Sequence, residues 1–140
     1  SEVEVKEAHE GDILKNGVVY IAPGGKHMRV VKKGTDYCIK LSDEPAIDGL
    51  RPCANVMYES LENCQYDEIT CVVLTGMGAD GTKGIQGLAA HHKKLHVIAQ
   101  DADTCVVYGM PKAIAQTGLV DEVVPLGSVA ETITKNVGVS

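Results

Sequence analysis

A short valine-rich run that ends in a glycine turn constrains the fold of this chain more than any other feature. The apolar run covers residues 70–74, and the turn, with the sequence TGMGADG, covers residues 75–81. Behind it, apolar residues recur at helical spacing over residues 85–89. This pattern is typical of a buried parallel strand that leads through a loop into a helix. Because ligands and catalytic groups gather at the carboxyl ends of such strands, we expect the turn, with its carboxylate Asp80, to belong to the functional site.

The rest of the second half repeats the alternation of strand and helix. A helical segment at 54–63 precedes this alternation. Together they predict a parallel sheet covered by helices, which is an α/β fold with three layers. Ser128 and Glu131 have the spacing of a capping box at the start of the last helix. The predicted strands are 71–74 and 95–99, and residues 120–126 form a last strand or an extended arm. A further apolar segment lies at 105–107. The predicted helices run to about 92, from 111 to about 118, and from 128 onward.

The sequence pattern of the first half differs from that of the second, because it predicts short strands and no βαβ unit. Residues 28–41 predict an antiparallel hairpin whose turn contains Gly34. The halves of a doubly wound sheet are usually built alike, so the chain reads as the back part of such a domain. We therefore expect residues 1–140 to form a single partial domain, truncated at its N-terminus.

Composition excludes several classes of function. The formal net charge is −6 and there is no long basic run, which argues against nucleic-acid binding. No apolar run is long enough to span a membrane, and no signal peptide is apparent. The five cysteines form no C-x-x-C pair, and with the histidines they show no metal-ligand spacing, so we expect a cytoplasmic protein without disulfides, metal or cofactor.

The glycine turn supports two conflicting interpretations. Gly76, Gly78 and Gly81 match the G-x-G-x-x-G spacing of dinucleotide-binding proteins, and Asp101 follows the next strand where a ribose-binding acid is expected. A pyrophosphate, however, binds at the positive end of a helix, where Asp80 would repel it. A dinucleotide-binding oxidoreductase is thus the weaker of the two interpretations.

The second interpretation is hydrolysis. Asp80 could orient a histidine, while backbone N–H groups of the same turn bind an oxyanion, although a role of Asp80 as a helix cap fits the spacing equally well. No serine lies in G-x-S-x-G or at a sharp turn after a strand. His27, behind a strand-ending turn, is a candidate base near the site. His91, His92 and His96 read as a solvated helix end.

Four ordered motifs resemble the CheB protein-glutamate methylesterases of bacterial chemotaxis, and together they cover nearly the whole chain. Residues 73–81 are similar to the family signature, and residues 20–28 resemble its I-A-P-G-x-x-H-M element. Residues 51–57 resemble R-P-S-x-x-x-L, with Cys53 where serine is usual. Residues 99–111 resemble its A-Q run, which ends in G-M-P.

The resemblance implies a Rossmann-like methylesterase fold and a Ser-His-Asp mechanism. It assigns Asp80 as the triad aspartate, Met77 as the donor of an oxyanion-hole N–H, and Gly76 and Gly78 to the active-site loop. The family's nucleophile lies in an early G-A-S-x-G-G turn and its histidine in a Q-H-M-P segment, and neither motif occurs here. His27 matches a later element, so the resemblance does not place it in the triad.

These departures lead to an expectation about activity. Without the serine and histidine, we expect the 140-residue chain alone to be inactive, because triad members act as a unit. The resemblance implies chemoreceptor helices as substrate, and glutamine deamidation as a second activity of some members. It also implies a receiver domain as partner, and we expect no receiver domain within residues 1–140. A non-catalytic receptor-binding module is the alternative. Missing strands would leave an apolar sheet face uncovered, which predicts self-association.

Overall fold

The computed structural model describes residues 3–138. The chain divides into two compact units, Ser1–Gln65 and Tyr66–Ser140, which are described separately below. Across the described residues, no helix combines the length and the apolar character that a membrane crossing requires.

The first unit begins with two short strands that pair in parallel. Strand β1 (Glu4–Glu7) lies beside β2 (Val18–Ile21), with Val5 opposite Val19. The connection between them contains no helix, as predicted, but the parallel pairing is a feature that the sequence pattern did not indicate. Asp12 organises this connection, because its carboxylate accepts hydrogen bonds from the backbone of His9 and from the Lys6 ammonium, both at 2.9 Å.

The predicted hairpin over residues 28–41 is confirmed. Strand β3 (His27–Lys33) pairs antiparallel with β4 (Asp36–Ser42) across the two-residue turn Gly34-Thr35. Gly34 has φ +64°, a conformation that glycine adopts without strain and that a two-residue hairpin turn requires.

The predicted helix at 54–63 is also confirmed, in two parts. Helix α1 (Ala54–Ser60) continues into a 3-10 turn at Leu61–Asn63. It packs on β3 through Ser60, whose hydroxyl accepts a hydrogen bond from the backbone N–H of Val30 at 2.9 Å and donates to the carbonyl of Met57 at 2.6 Å. Apolar side chains fill the space between hairpin and helix, and the fully or nearly fully buried ones are Val30, Cys38, Ile39, Cys53, Val56, Tyr58 and Cys64.

The second unit is the predicted parallel sheet with its helices. Three strands lie side by side in the order β5-β6-β7, and all are parallel. Most of the buried side chains of this unit are aliphatic, which explains why the strands read as continuous apolar runs. The strands are β5 (Ile69–Val73), β6 (Leu95–Gln100) and β7 (Glu122–Val124), and the helices are α2 (Thr82–Ala90), α3 (Met110–Ala115) and α4 (Val129–Val137).

Three local details of this unit differ from the expectations or refine them. The apolar segment at residues 105–107 lies in a loop. Helix α2 ends at Ala90, before the left-handed His92 with φ +58°. Ser128 makes no side-chain capping bond, because it ends a 3-10 turn with an α-like backbone (φ −106°, ψ −1°), whereas a capping serine usually has an extended backbone.

His96 was expected on a solvated helix end and instead lies half-buried in β6. Its Nε2 is 2.6 Å from Oε2 of Glu122 on β7, and the Asn136 amide of α4 donates to the same oxygen at 3.0 Å. These hydrogen bonds, with that to His96 having the larger effect, lower the pKa of Glu122 below its ordinary value of 4.5. The contact therefore links the last helix to the sheet edge through a charged carboxylate.

This lowered pKa predicts a pH dependence of stability. The unfolded chain binds the proton more readily than the folded one, so the stabilisation is present above pH 4.5 and is lost as the pH falls through the folded pKa. In urea titrations between about pH 6 and about pH 3, the free energy of unfolding should fall more steeply for the wild type than for Glu122→Gln. Parallel pH profiles for the two proteins would contradict this assignment.

Candidate functional site

The loop that joins β5 to α2 carries the predicted site residues. It spans residues 74–81 and places Gly76, Met77, Gly78 and Asp80 at the carboxyl edge of the parallel sheet. The N-cap residue of α2 is Gly81, so the half-buried Asp80 lies one residue outside the position of a helix cap. Gly78 and Gly81 have φ +87° and φ +97°, which explains the requirement for glycine at both positions.

A second loop, at residues 102–109, lies alongside the first and fixes its backbone. The N–H of Gly76 donates to the carbonyl of Val107 at 3.0 Å, and the carbonyl of Gly76 accepts from Gly109 and Met110 at 3.1 and 2.8 Å. The Thr75 hydroxyl accepts a hydrogen bond from the Val107 N–H at 2.9 Å and donates to the Val107 carbonyl at 3.0 Å. The start of the glycine turn is thus held from both sides.

The side chain of Gln100 forms hydrogen bonds with both loops from the end of β6. Its side chain, 1% exposed, ends β6. Oε1 accepts from the backbone N–H of Thr75 at 2.8 Å, and Nε2 donates to the carbonyl of Thr104 at 2.9 Å. Gln100 was not among the site residues predicted from the sequence, although a glutamine at the end of a buried apolar strand is a signal for such a role.

Two glycines permit this close packing. A Cβ atom on Gly76 would lie 2.6 Å from Sδ of Met110, and a Cβ atom on Gly109 would lie 2.6 Å from the carbonyl oxygen of Gly76 and 2.9 Å from the backbone nitrogen of Gly78. A side chain at position 76 would force Met110, the first residue of α3, to shift, so this glycine has a structural role that involves no bound phosphate.

Asp101 also has a structural role within the chain. Its Oδ1 accepts hydrogen bonds from the backbone N–H and the hydroxyl of Thr104, at 3.0 and 2.6 Å. The carboxylate expected to bind a ribose is thus engaged in its own turn. Together with the internal explanation of the glycines, this gives the dinucleotide interpretation no support from the geometry.

The turn presents two backbone donors that have no acceptor in the part of the chain that the structure describes. Within residues 3–138, neither the N–H of Met77 nor that of Gly78 donates a hydrogen bond to another protein atom. The Met77 side chain is 86% exposed. Both donors lie in the loop that precedes α2. Such a turn can stabilise an oxyanion that develops on a bound substrate.

His27 lies in the first unit, as the first residue of β3. It is 1% exposed, its Nε2 is 3.0 Å from the carbonyl oxygen of Pro45, and its Nδ1 is buried without a protein partner among the described residues. Because a carbonyl only accepts, Nε2 carries the proton in this contact. The histidine is thus deeply buried, rather than presented on an open loop.

The serines of the described chain lie outside the glycine turn. Ser42 accepts a hydrogen bond from Arg29 at 3.3 Å, Ser60 bonds to Met57 and Val30, and Ser128 ends a 3-10 turn. None stands in the loop that carries Asp80. The loop therefore combines a carboxylate, Asp80, with backbone donors that are unpaired within residues 3–138, but it contains no serine.

Comparisons with known proteins show which family the chain resembles. A family model described as CheB methylesterase matches residues 1–133. Relatives named protein-glutamate methylesterase/protein-glutamine glutaminase occur in Desulfotalea psychrophila, at 44% identity over 97% of this chain, and in Pyrococcus horikoshii, at 42% identity over 98% of it. The chain spans 37% of the length of each of these relatives.

The fold agrees with a solved structure. The crystal structure of the Thermotoga maritima CheB methylesterase catalytic domain superposes with a TM-score of 0.85 at 35% identity. The match covers 93% of this chain and 68% of that domain. The predicted α/β fold with a parallel sheet and helices is therefore confirmed.

Proposed function

Because this chain belongs to the CheB methylesterase family, we propose that it forms part of a protein-glutamate methylesterase. The activity is hydrolysis of glutamyl methyl esters, and the second name of its relatives adds deamidation of protein glutamine. The observation that carries the proposal is the turn in which Asp80 lies three residues from Met77, whose N–H donates no hydrogen bond within residues 3–138.

The proposed mechanism is that of a serine hydrolase. A serine Oγ attacks the ester carbonyl, and a histidine takes its proton. Asp80 accepts a hydrogen bond from that histidine, holds its tautomer and stabilises the imidazolium. The N–H of Met77 donates to the oxyanion of the tetrahedral intermediate. Collapse expels methanol, which takes the proton from the histidine, and water then releases the glutamate from the acyl-enzyme.

The serine and histidine are proposed to come from a segment that precedes this chain in the complete protein. The family resemblance places them in early G-A-S-x-G-G and Q-H-M-P elements, and this chain spans 37% of the length of its relatives. His27 is not assigned to the triad, since its Nε2 is engaged with Pro45. The chain alone is therefore proposed to be inactive.

The substrate is proposed to be the cytoplasmic helices of a methyl-accepting chemoreceptor. The resemblance to the chemotaxis family supports this, and it also suggests regulation by a receiver domain in the complete protein. Because these helices are cytoplasmic, a cytoplasmic location of the enzyme is part of the proposal.

Methanol release tests the proposal. The 140-residue chain would be compared with a completed enzyme, in which it replaces the matching part of the T. maritima catalytic domain. We expect methanol from a methylated chemoreceptor fragment only with the completed enzyme. Turnover by the short chain would overturn the triad assignment, and binding without turnover by both would favour the receptor-binding module.

Self-association of the isolated chain is a further part of the proposal. Strands β1 and β2 expose apolar side chains at alternate positions, with Val5 58% and Ile21 54% exposed. A parallel sheet is usually covered on both faces, so a second copy is expected to cover this one.

Sedimentation velocity measures this association. The isolated chain should sediment as a dimer or larger species, and Val5→Thr with Ile21→Thr should shift it toward monomer. Val123→Thr, at an exposed apolar position of β7, is the matched control and should leave the distribution unchanged. A monodisperse wild-type monomer would refute the expectation.

A further inference from the structure

We propose that Gln100 is a positioning residue for ester hydrolysis, which keeps the Met77 N–H directed at the oxyanion. The proposal rests on the function proposed above and adds how the glycine turn is held for the reaction. The Gln100 side chain is 1% exposed, so it cannot touch the ester itself. Its effect passes through the backbone of Thr75, which lies two residues before Met77.

The two ends of the Gln100 amide meet backbone groups of opposite character. The Thr75 N–H, which only donates, lies 2.8 Å from Oε1, and the Thr104 carbonyl, which only accepts, lies 2.9 Å from Nε2. An ionised glutamate would have no donor for this carbonyl, and methionine would have only a weak acceptor for the N–H. The contact therefore requires a neutral amide of this length.

The Thr104 end of the contact is anchored on the sheet. The N–H and the hydroxyl of Thr104 both donate to Asp101, and the hydroxyl accepts from the Leu126 N–H at 3.0 Å. The Asp101 N–H in turn donates to the carbonyl of Val124, the last residue of β7, at 2.8 Å. Through Thr104, Gln100 connects the start of the glycine turn to the ends of β6 and β7.

The hydrogen bonds between the two loops have a different effect. Thr75 and Gly76 both bond to Val107, and the Gly76 carbonyl accepts from the Gly109 N–H. None of these contacts involves β6, so they hold the loops to each other and would remain if the Gln100 amide were removed. Loss of the amide should therefore let both loops shift together relative to the sheet, and the fold should persist.

The contact is complete within this chain. Because the Gln100 side chain is already buried, a segment that precedes the chain in the complete protein has almost no surface of it to cover. Both partners, Thr75 and Thr104, belong to the second unit. The same contact is therefore expected in the completed enzyme.

The test measures methanol release from a methylated chemoreceptor fragment by the completed enzyme. Gln100→Met keeps the length of the side chain and removes both hydrogen bonds. A displacement of about 1 Å at a catalytic group can cost about 100-fold in rate, so we expect kcat to fall about 100-fold while KM stays within about twofold. Gln100→Asn, a milder change that keeps a neutral amide one methylene shorter, should lower kcat less, also at unchanged KM.

Thr117→Val is the matched control. The Thr117 hydroxyl also joins two backbone groups of the second unit, since it donates to the Ile114 carbonyl at 2.6 Å and accepts from the Leu119 N–H at 3.1 Å. Valine keeps its shape and removes both bonds, so the unfolding midpoint should fall while kcat is unchanged. Hydrogen exchange of residues 75–78, measured by mass spectrometry, should be faster in Gln100→Met and unaltered in Thr117→Val.

The outcomes separate this inference from the proposed function. An active parent enzyme whose kcat is unchanged in both Gln100 variants, or whose KM alone rises, would overturn the positioning role and leave the proposed function intact. An equal loss of kcat in Thr117→Val would overturn it too, because activity would then follow stability. A parent without ester hydrolysis would refute the proposed function. The exchange measurement would then decide whether Gln100 holds the turn, and unaltered exchange in Gln100→Met would overturn that.

Discussion

Asp80→Asn in the completed enzyme should lower kcat for methanol release by about 10⁴-fold, which is the effect of the same change in the triad of a serine protease. Asparagine has the size of aspartate but can donate from its amide, so it allows the wrong histidine tautomer and does not stabilise the imidazolium. The loss should appear in kcat and kcat/KM alike, because the interaction is proposed to matter in the transition state.

Asp103→Asn is the matched control for this prediction. Asp103 is an exposed residue of the neighbouring loop, so the change removes the same charge near the same sheet edge without touching the proposed triad. It should retain nearly full activity. Thermal unfolding of both variants would show whether a loss of activity reflects a loss of structure. A well-folded Asp80→Asn enzyme with unimpaired kcat would remove Asp80 from the mechanism.

Gly109→Ala should damage both stability and activity. The backbone at Gly109 has φ −93° and ψ −63°, which alanine adopts readily, so the effect is purely steric. The added Cβ atom would lie 2.6 Å from the carbonyl oxygen of Gly76 and 2.9 Å from the nitrogen of Gly78, and neither backbone atom can turn away as a side chain does. We expect a loss of about 1–3 kcal/mol in the free energy of unfolding.

The activity loss should be larger than this stability loss suggests. The clash separates the second loop from the turn that carries Met77, and a displacement of about 1 Å at a catalytic group can cost about 100-fold in rate. Gly127→Ala is the matched control, since a Cβ atom there meets nothing within 4 Å and its φ is not positive. Equal unfolding midpoints and equal kcat values for the two variants would show that the loop contact is dispensable.

Features set by neighbouring residues were predictable from the sequence. The valine run and its glycine turn specify β5, the following loop and α2, because burial and positive φ leave a local pattern. The hairpin of β3 and β4 follows similarly from alternating strands around Gly34. The family motifs then added candidate roles for Asp80 and Met77, which the amino-acid pattern alone left open.

Features set by distant contacts were not predictable. The parallel pairing of β1 with β2 depends on a partner strand rather than on either sequence. Ser128 has the spacing of a capping residue, but the preceding 3-10 turn gives it the wrong backbone. Gly109 reads as an ordinary helix start, and only its approach to the backbone of Gly76 shows why a side chain is excluded there.

Because each unit contains its own buried cysteines, the opening of each unit can be followed by the alkylation of its thiols. Cys38, Cys53 and Cys64 are buried in the first unit, whereas Cys71 is buried in β5 of the second. A thiol inside a packed core reacts with an alkylating reagent only after local or global opening exposes it. After alkylation, mass spectrometry of the cysteine-containing segments therefore reports on each unit separately. The denaturant concentration at which each unit opens can thus be measured on one wild-type chain, without an engineered label.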